Sequence, residues 1–338
     1  MARICSSKRK TLCLGVLVLS ILQMLVYFIS TRHIGNVHMQ SGIQSTRYGD
    51  HLPMRNGTLS IAIYGRLGNQ MFGYASILGL AYTMNLSNIV IDHLDGGDDL
   101  LSSFQLSNKM VSFCPIPLNA KHVDEMRCCA FDERLTMFSN KEDINVIGYL
   151  LSWKYFYNID KHIRKEFTFV TSILSKAKQI KLDIASMFND TSIFKNRTYI
   201  GVHIRRGDFL LESKIKFGHY PVSKDYIIHA IQLCTKMFGE DIIFVFCSDG
   251  IKWVKRNFSI FTNKWKMAFV EDNPAAVDMA VLSLCDHTIV TTGSFGWWAA
   301  WLAGGKTIIS KQKAINGSYL SSQFAYPDYF YPDWIIIE

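Results

Sequence analysis

Seven consecutive residues, His203-Ile204-Arg205-Arg206-Gly207-Asp208-Phe209, gather an imidazole, two guanidinium groups, a glycine and a carboxylate. Two planar forks side by side suit a diphosphate, because each guanidinium can donate paired hydrogen bonds to anionic oxygens. Gly207 lets the backbone turn sharply or approach a ligand closely. Asp208 can hold an arginine in place or move a proton. Taken alone, the stretch also fits a solvated strand end with an ordinary ion pair, so its meaning depends on what accompanies it.

Two glycine-containing turns accompany it. Gly65-Arg66-Leu67-Gly68-Asn69-Gln70 offers Arg66, Asn69 and Gln70 to a cleft, or is simply a tight turn; it lacks a P-loop lysine and GxGxxG spacing. Thr291-Thr292-Gly293-Ser294-Phe295-Gly296 enters a helix. Its free backbone N–H groups and the positive end of the helix dipole suit a phosphate or a sugar hydroxyl, while capping by Ser294 explains it equally well. Trp297, Trp298 and Trp301 follow at helical spacing and read mainly as core, with stacking on a base or sugar as the alternative. Asp249 and Asp278 are acids near strand ends that fit either the surface or a ligand. The sequence contains no D-x-D, HExxH or CxxC pattern, so no metal site is expected.

The elements that must carry these groups alternate. Leu59–Ile63 reads as a strand, Met71–Tyr82 as a helix and Asn88–Asp92 as a strand. His93 to Glu142 reads as irregular, and Ile144–Leu151 as a strand. Helices are expected over Asp160–Phe167 and Ser172–Met187, and the polar stretch Phe188–Arg197 closes a first unit. Tyr199–Ile204 is an apolar β-branched strand that ends at the two arginines. Then come a helix from Ser223, its N-cap, to Phe238, a strand over Asp241–Cys247, a helix over Ile251–Phe258 and a strand over Lys266–Val270. A helix over Pro274–Cys285, a strand over Thr288–Val290, a helix over Phe295–Ala303 and a strand over Thr307–Ser310 complete the series. Such alternation implies α/β architecture with parallel, doubly wound sheet, and the turns after its strands share one rim.

The chain of 338 residues carries a net charge of +8, four charges of which come from Arg3, Lys8, Arg9 and Lys10. The remaining mild excess excludes the dense basic stripe of a nucleic-acid binder and suits an anionic small ligand. Residues 11–29 hold no charge and reach about 28 Å as a helix, enough to span a bilayer. With the basic cluster of residues 1–10 before it, this reads as an uncleaved signal-anchor of a single-pass type II protein whose remainder is luminal. Residues 30–58 read as a stem. Six sequons, at Asn56, Asn85, Asn189, Asn196, Asn257 and Asn316, agree with luminal exposure. Beyond Cys5 and Cys13, Cys114, Cys128, Cys129, Cys234, Cys247 and Cys285 would meet an oxidising lumen, and spacing selects none of their fifteen complete pairings.

Taken together, residues 65–72, 203–209 and 293–305 resemble the galactoside α-1,2-fucosyltransferases, glycosyltransferase family 11, in motif and in order. The resemblance covers about Ile61 to Ile309, with Gly73 where relatives often have glutamine and nothing matched between Leu94 and Phe138. It implies a Golgi membrane enzyme with a GT-B-like fold: an acceptor-side Rossmann-like domain, residues 59–197, and a GDP-fucose-binding domain, residues 198–338, facing a cleft. It also implies inverting, metal-independent transfer of fucose from GDP-β-L-fucose to the 2-hydroxyl of a galactose on a glycoprotein or glycolipid glycan. Arg205 and Arg206 would stabilise the leaving GDP, together with Gly293, Ser294 and Phe295. His203 would contact phosphate or ribose; Asp249 and Asp278 would belong to the donor site, with Arg66, Asn69 and Gln70 closing the cleft. Asp208 leads as general base, with Glu212 and Asp278 in reserve. A protein O-fucosyltransferase and a silent glycan-binding homologue are the alternatives.

Overall fold

The structure, a computed structural model, describes residues 57–93, 99–190 and 197–338. The expected anchor, nearly all of the stem, and the sequons at Asn56 and Asn196 lie outside the described residues. Among the described residues no helix is long and apolar enough to cross a membrane.

The described residues fall in one compact unit built on two all-parallel sheets. The first contains β1 (Leu59–Ile63), β2 (Ile89–His93), β3 (Val111–Phe113), β4 (Lys121–Asp124) and β5 (Ile144–Ile147), in the order β3-β2-β1-β5-β4. All five residues of β1 are buried, as a strand covered on both faces requires. β3 and β4 fall in the stretch read as irregular. Each has only three or four residues, mostly exposed, at a sheet edge, so neither shows the apolar run or clean alternation that marks a strand.

The second sheet contains β6 (Thr198–Ile204), β7 (Ile242–Ser248), β8 (Lys266–Phe269), β9 (His287–Val290), β10 (Thr307–Ser310) and β11 (Ile335–Ile337), in the order β11-β10-β9-β6-β7-β8. β11 was not foreseen. Its three isoleucines pair with Ile308 to Ser310 on β10 only after the chain has passed two short helices. β7 and β8 lie to one side of β6, and β9 to β11 lie to the other. The strand order therefore reverses between β6 and β9, where side chains leaving the carboxyl ends diverge and a crevice opens. In the first sheet the same reversal lies between β1 and β5.

The longer helices are α1 (Leu67–Thr83), α2 (Thr171–Met187), α3 (Lys224–Phe238), α4 (Ile251–Phe258), α5 (Ala275–Ser283) and α6 (Ser294–Ala303). Ser223 caps α3 by accepting from the Tyr226 N–H at 3.2 Å. α1 packs against α6, which explains why α1 is buried on nearly every face. Trp297, Trp298 and Trp301 are fully buried, so all three are core. The Phe72 ring on α1 lies 4.7 Å from Trp297 and 5.0 Å from Trp298, and Phe156 stacks on Trp298 at 5.3 Å. α2 packs on α5, and Lys181 on α2 donates to the Leu284 carbonyl at 2.5 Å.

Of the described sequons, Asn85, Asn189 and Asn316 are exposed. Asn257 is half-buried and donates its amide to the Trp253 carbonyl inside α4. None of the six described cysteines is in a disulfide, although the sulfurs of Cys128 and Cys129 approach to 2.9 Å.

Candidate active site

Arg205 leaves β6 at the reversal point. Its backbone N–H donates to Thr291 Oγ1 at 2.9 Å, joining the ends of β6 and β9. Its guanidinium is ion-paired with both Asp208 and Asp249 and lies 4.7 Å over the Phe209 ring. Burial, with Arg66 nearby, eases its proton affinity downward while Asp208 opposes that; an arginine so placed stays charged throughout the working range. Arg206 points elsewhere. Its guanidinium lies 3.8 Å over the Trp253 ring on α4, its Nε is buried without a partner, and it does not line the cavity. Arg206 has already left strand geometry, with φ −135° and ψ −75°, and the turn sends its side chain away from that of Arg205, so the two forks are not presented side by side. Gly207 serves a close approach within the protein: a Cβ there would sit 2.3 Å from Asp249 Oδ2.

The turn after β1 meets this cluster. Arg66 pairs with Asp208 at 3.0 Å, and Ser294 Oγ donates to Asn69 Oδ1 at 2.5 Å. Gly68 has no room for a side chain, because a Cβ would stand 2.6 Å from the Phe295 nitrogen and 2.7 Å from the Ser294 carbonyl carbon. Thus the Gly65–Gln70 turn and the Gly293–Phe295 turn, distant in sequence, touch backbone to side chain across the cleft. Gln70 does not reach it. Gln70 is buried, donates to the Gly65 carbonyl at 3.0 Å and accepts from the Leu100 N–H at 2.9 Å, so it braces the turn from behind. Asp208 has one oxygen on Arg205 and the other on Arg66, an arrangement that orients guanidinium groups and leaves little of the carboxylate for a substrate proton. Glu212 is exposed, bonded to Lys216 at 2.7 Å, and lies outside the cavity lining.

Between the halves lies a cavity of about 1050 Å³, reached by Arg66, Asn69, His203, Arg205, Asp278 and Ser294 among others. Two of its polar groups lack protein partners. His203 is 5% exposed, packs its ring 4.9 Å from Phe295, and has Nδ1 buried and unpartnered. Burial, then Arg205, pushes its pKa down to about 3, so the ring is neutral. Asp278 on α5 has Oδ1 buried and unpartnered, and burial pushes its carboxyl up to about 7. Buried polar atoms are nearly always paired in a folded protein, so the Asp278 oxygen marks a place where a ligand can complete the bonding, whereas His203 Nδ1 lies against Gly296 of α6.

Several lining residues escaped the sequence reading. Lys313 is buried, donates to the Thr291 carbonyl at 2.9 Å, and burial holds its proton affinity well below the ordinary lysine range. It follows β10 in a polar loop without any motif. Glu125, Cys128, Cys129 and Tyr149 come from the edge of the first sheet, after β4 and β5. His219 follows the short helix Glu212–Phe217. Among the described residues no cluster of three or more His, Cys, Asp or Glu could hold a metal ion.

The sequence model of the family described as Glycosyl transferase family 11 matches residues 25–338. The chain belongs to that family. This family 11 chain is 29% identical over 298 residues to galactoside alpha-(1,2)-fucosyltransferase 1 of Alouatta caraya, a match covering 84% of this chain and 76% of the relative. The Homo sapiens protein of the same name is 28% identical over 294 residues, with the same coverage of each. Among solved structures, a variant of Arabidopsis thaliana FUT1 in complex with GDP superposes with a TM-score of 0.47 at 13% identity, covering 84% of this chain and 74% of that one. POFUT1 in complex with GDP-fucose gives 0.45 at 11%, covering 74% and 95%. The protein is therefore a glycosyltransferase of family 11 with two parallel α/β sheets around one cleft.

Proposed function

We propose that this family 11 glycosyltransferase moves L-fucose from GDP-β-L-fucose to the 2-hydroxyl of a galactose on a glycan, inverting the anomeric carbon and using no metal. The observation that carries the reading is Arg205, held by two carboxylates at the reversal point beside the N-terminus of α6. A fixed guanidinium and a helix N-terminus together stabilise the charge that grows on a departing diphosphate. The unpartnered Asp278 carboxylate suits the two parallel N–H donors on the edge of guanine. Neutral His203 offers a hydrogen bond toward ribose or phosphate. Arg206, turned onto Trp253, supports the β6 end and adds long-range positive charge.

The names of the curated relatives support fucosyl transfer and the α-1,2 linkage to galactoside. In this reading the two sheets face each other in a GT-B-like arrangement, with the first half receiving the acceptor and the second holding the donor. The enzyme resides in the Golgi membrane, anchored by residues 11–29 with the catalytic part luminal. The test is incubation of the purified protein with GDP-fucose and an array of galactose-terminated glycans, with and without EDTA. Transfer that survives EDTA and is reversed by an α-1,2-specific fucosidase is the expected result. Absence of turnover on every galactoside, or restoration by Mn²⁺ of an activity lost to EDTA, would refute the reading.

A further inference from the structure

We propose that His219 is the general base that takes the proton of the acceptor hydroxyl, an inference that rests on the fucosyl-transfer reading above. The His219 ring lies 4.1 Å from the Phe209 ring, and the Arg205 guanidinium lies 4.7 Å over that same Phe209. One aromatic ring thus supports both the cation for the leaving diphosphate and an imidazole in the same cavity. Among the described residues nothing hydrogen-bonds to the His219 ring, so its lone pair is available. Four of the carboxylates that line the cavity are occupied: Asp208 and Asp249 hold Arg205, Glu125 accepts the Tyr149 and Leu150 N–H groups, and Glu271 pairs with Lys255.

Sheet order separates His219 from Asp278. Asp278 sits on α5, which follows β8 on one side of β6. The backbone of His219 bridges to Ala314, which follows β10 on the other side. A donor whose diphosphate lies at Arg205 and whose base lies toward Asp278 extends its sugar toward His219. The charged groups acting on the ring are Lys214, Arg205 and Asp208, with Lys313 next to its bridge partner. Burial, then Lys214 and Arg205, lowers the ring to about 4 against the pull of Asp208, which keeps it deprotonated at neutral pH. A diphosphate bound at Arg205 brings negative charge that raises its basicity when the donor is in place. In the step, the bond between fucose C1 and the β-phosphate oxygen breaks and its electron pair leaves with GDP. The acceptor oxygen bonds to C1 from the opposite face, and its proton passes to a ring nitrogen of His219 and on to water.

The test uses the full chain in mild detergent and compares wild type, His219→Gln and His219→Ala, with GDP affinity measured by calorimetry. We expect kcat to fall about a hundredfold or more in both variants while GDP affinity stays within about threefold. Added imidazole should restore part of the His219→Ala activity, and the acid limb of the kcat/KM profile should disappear in His219→Gln. Near-normal kcat with an unchanged pH profile would overturn the assignment. So would a parallel loss of GDP affinity in both variants, which would make the ring part of donor-site packing. Wild-type protein that binds no GDP would instead bring down the fucosyl-transfer reading, and the base with it.

Discussion

The two sheets face one cavity with different chemistry. The half built on β6 supplies Arg205, Asp208, Asp249, Asp278 and Ser294, and it fixes the first three with ion pairs and a cross-strand bond from Arg205 to Thr291. The half built on β1 supplies a close-packed turn, Arg66 and Asn69, and beyond them a wall in which Met126, Ile147 and Tyr149 alternate with Glu125 and Arg127. Charge concentrated and pre-oriented on one side suits a ligand with charge to neutralise. A wall that mixes apolar side chains with charges of both signs on the other suits a ligand recognised by shape and hydrogen bonding. The division also accounts for the contrast between the adjacent arginines: only Arg205 faces the boundary.

That contrast can be broken most sharply by substitution. Arg205→Lys keeps a charge but loses the planar fork that spans Asp208 and Asp249. Hydrogen bonds to charged groups contribute about 1.5–3 kcal/mol each, so transfer should fall roughly a hundredfold or more. Arg206→Lys mainly loses stacking on Trp253, about 0.5–2 kcal/mol, and should cost about thirtyfold or less. GDP-fucose kinetics on both variants check this; equal losses would erase the distinction.

The contact between the halves comes next. Gly68→Ala drives a methyl into the Ser294–Phe295 backbone, and overpacking of this kind costs about 1–3 kcal/mol. Thermal denaturation should show a lowered Tm, and an unchanged Tm would mean that the two turns have room to separate. Asn69→Ala is a gentler cut. It removes the acceptor of the Ser294 hydroxyl, worth about 1 kcal/mol, and should raise KM severalfold with kcat little changed.

The remaining test lies in pH dependence. The Asp278 carboxyl is raised to about 7 in the folded protein, so between its ordinary value and 7 the native state binds the extra proton. Its contribution to stability is full at acid pH and is lost as pH rises toward 7. The two histidines act oppositely: His203 and His219, lowered to about 3 and about 4, make the native state lose stability as pH falls below their ordinary value. The Tm of Asp278→Asn minus that of wild type should therefore grow more positive from pH 4 to pH 8 in the absence of ligand. A flat difference would place Asp278 in water.

Much of the second sheet was legible because its strands are continuous apolar runs. β6 and β7 are buried along nearly their full length, and the Ser223 cap and the glycine after α6 punctuate the helices. β3, β4 and β11 were hidden because a short edge strand covers little and needs little apolar pattern. At the site, residue type was readable and direction was not. Arg205 and Arg206 look equivalent in sequence, and only the facing of the backbone separates them. Gln70 looks like a cleft residue beside Asn69, yet helix geometry turns it behind the turn. His219 and Lys313 carried no motif at all, since what distinguishes them is the packing of remote segments.

The tryptophans of α6 have a consequence for how the protein moves and how it can be divided. Phe72 and Phe156 from one half and Trp297 and Trp298 from the other belong to a single continuous core. A hinge between the halves would have to pull those rings apart and admit water between them. The floor of the cleft is thus a keystone: the halves fold and melt together, and neither stands as an exchangeable module.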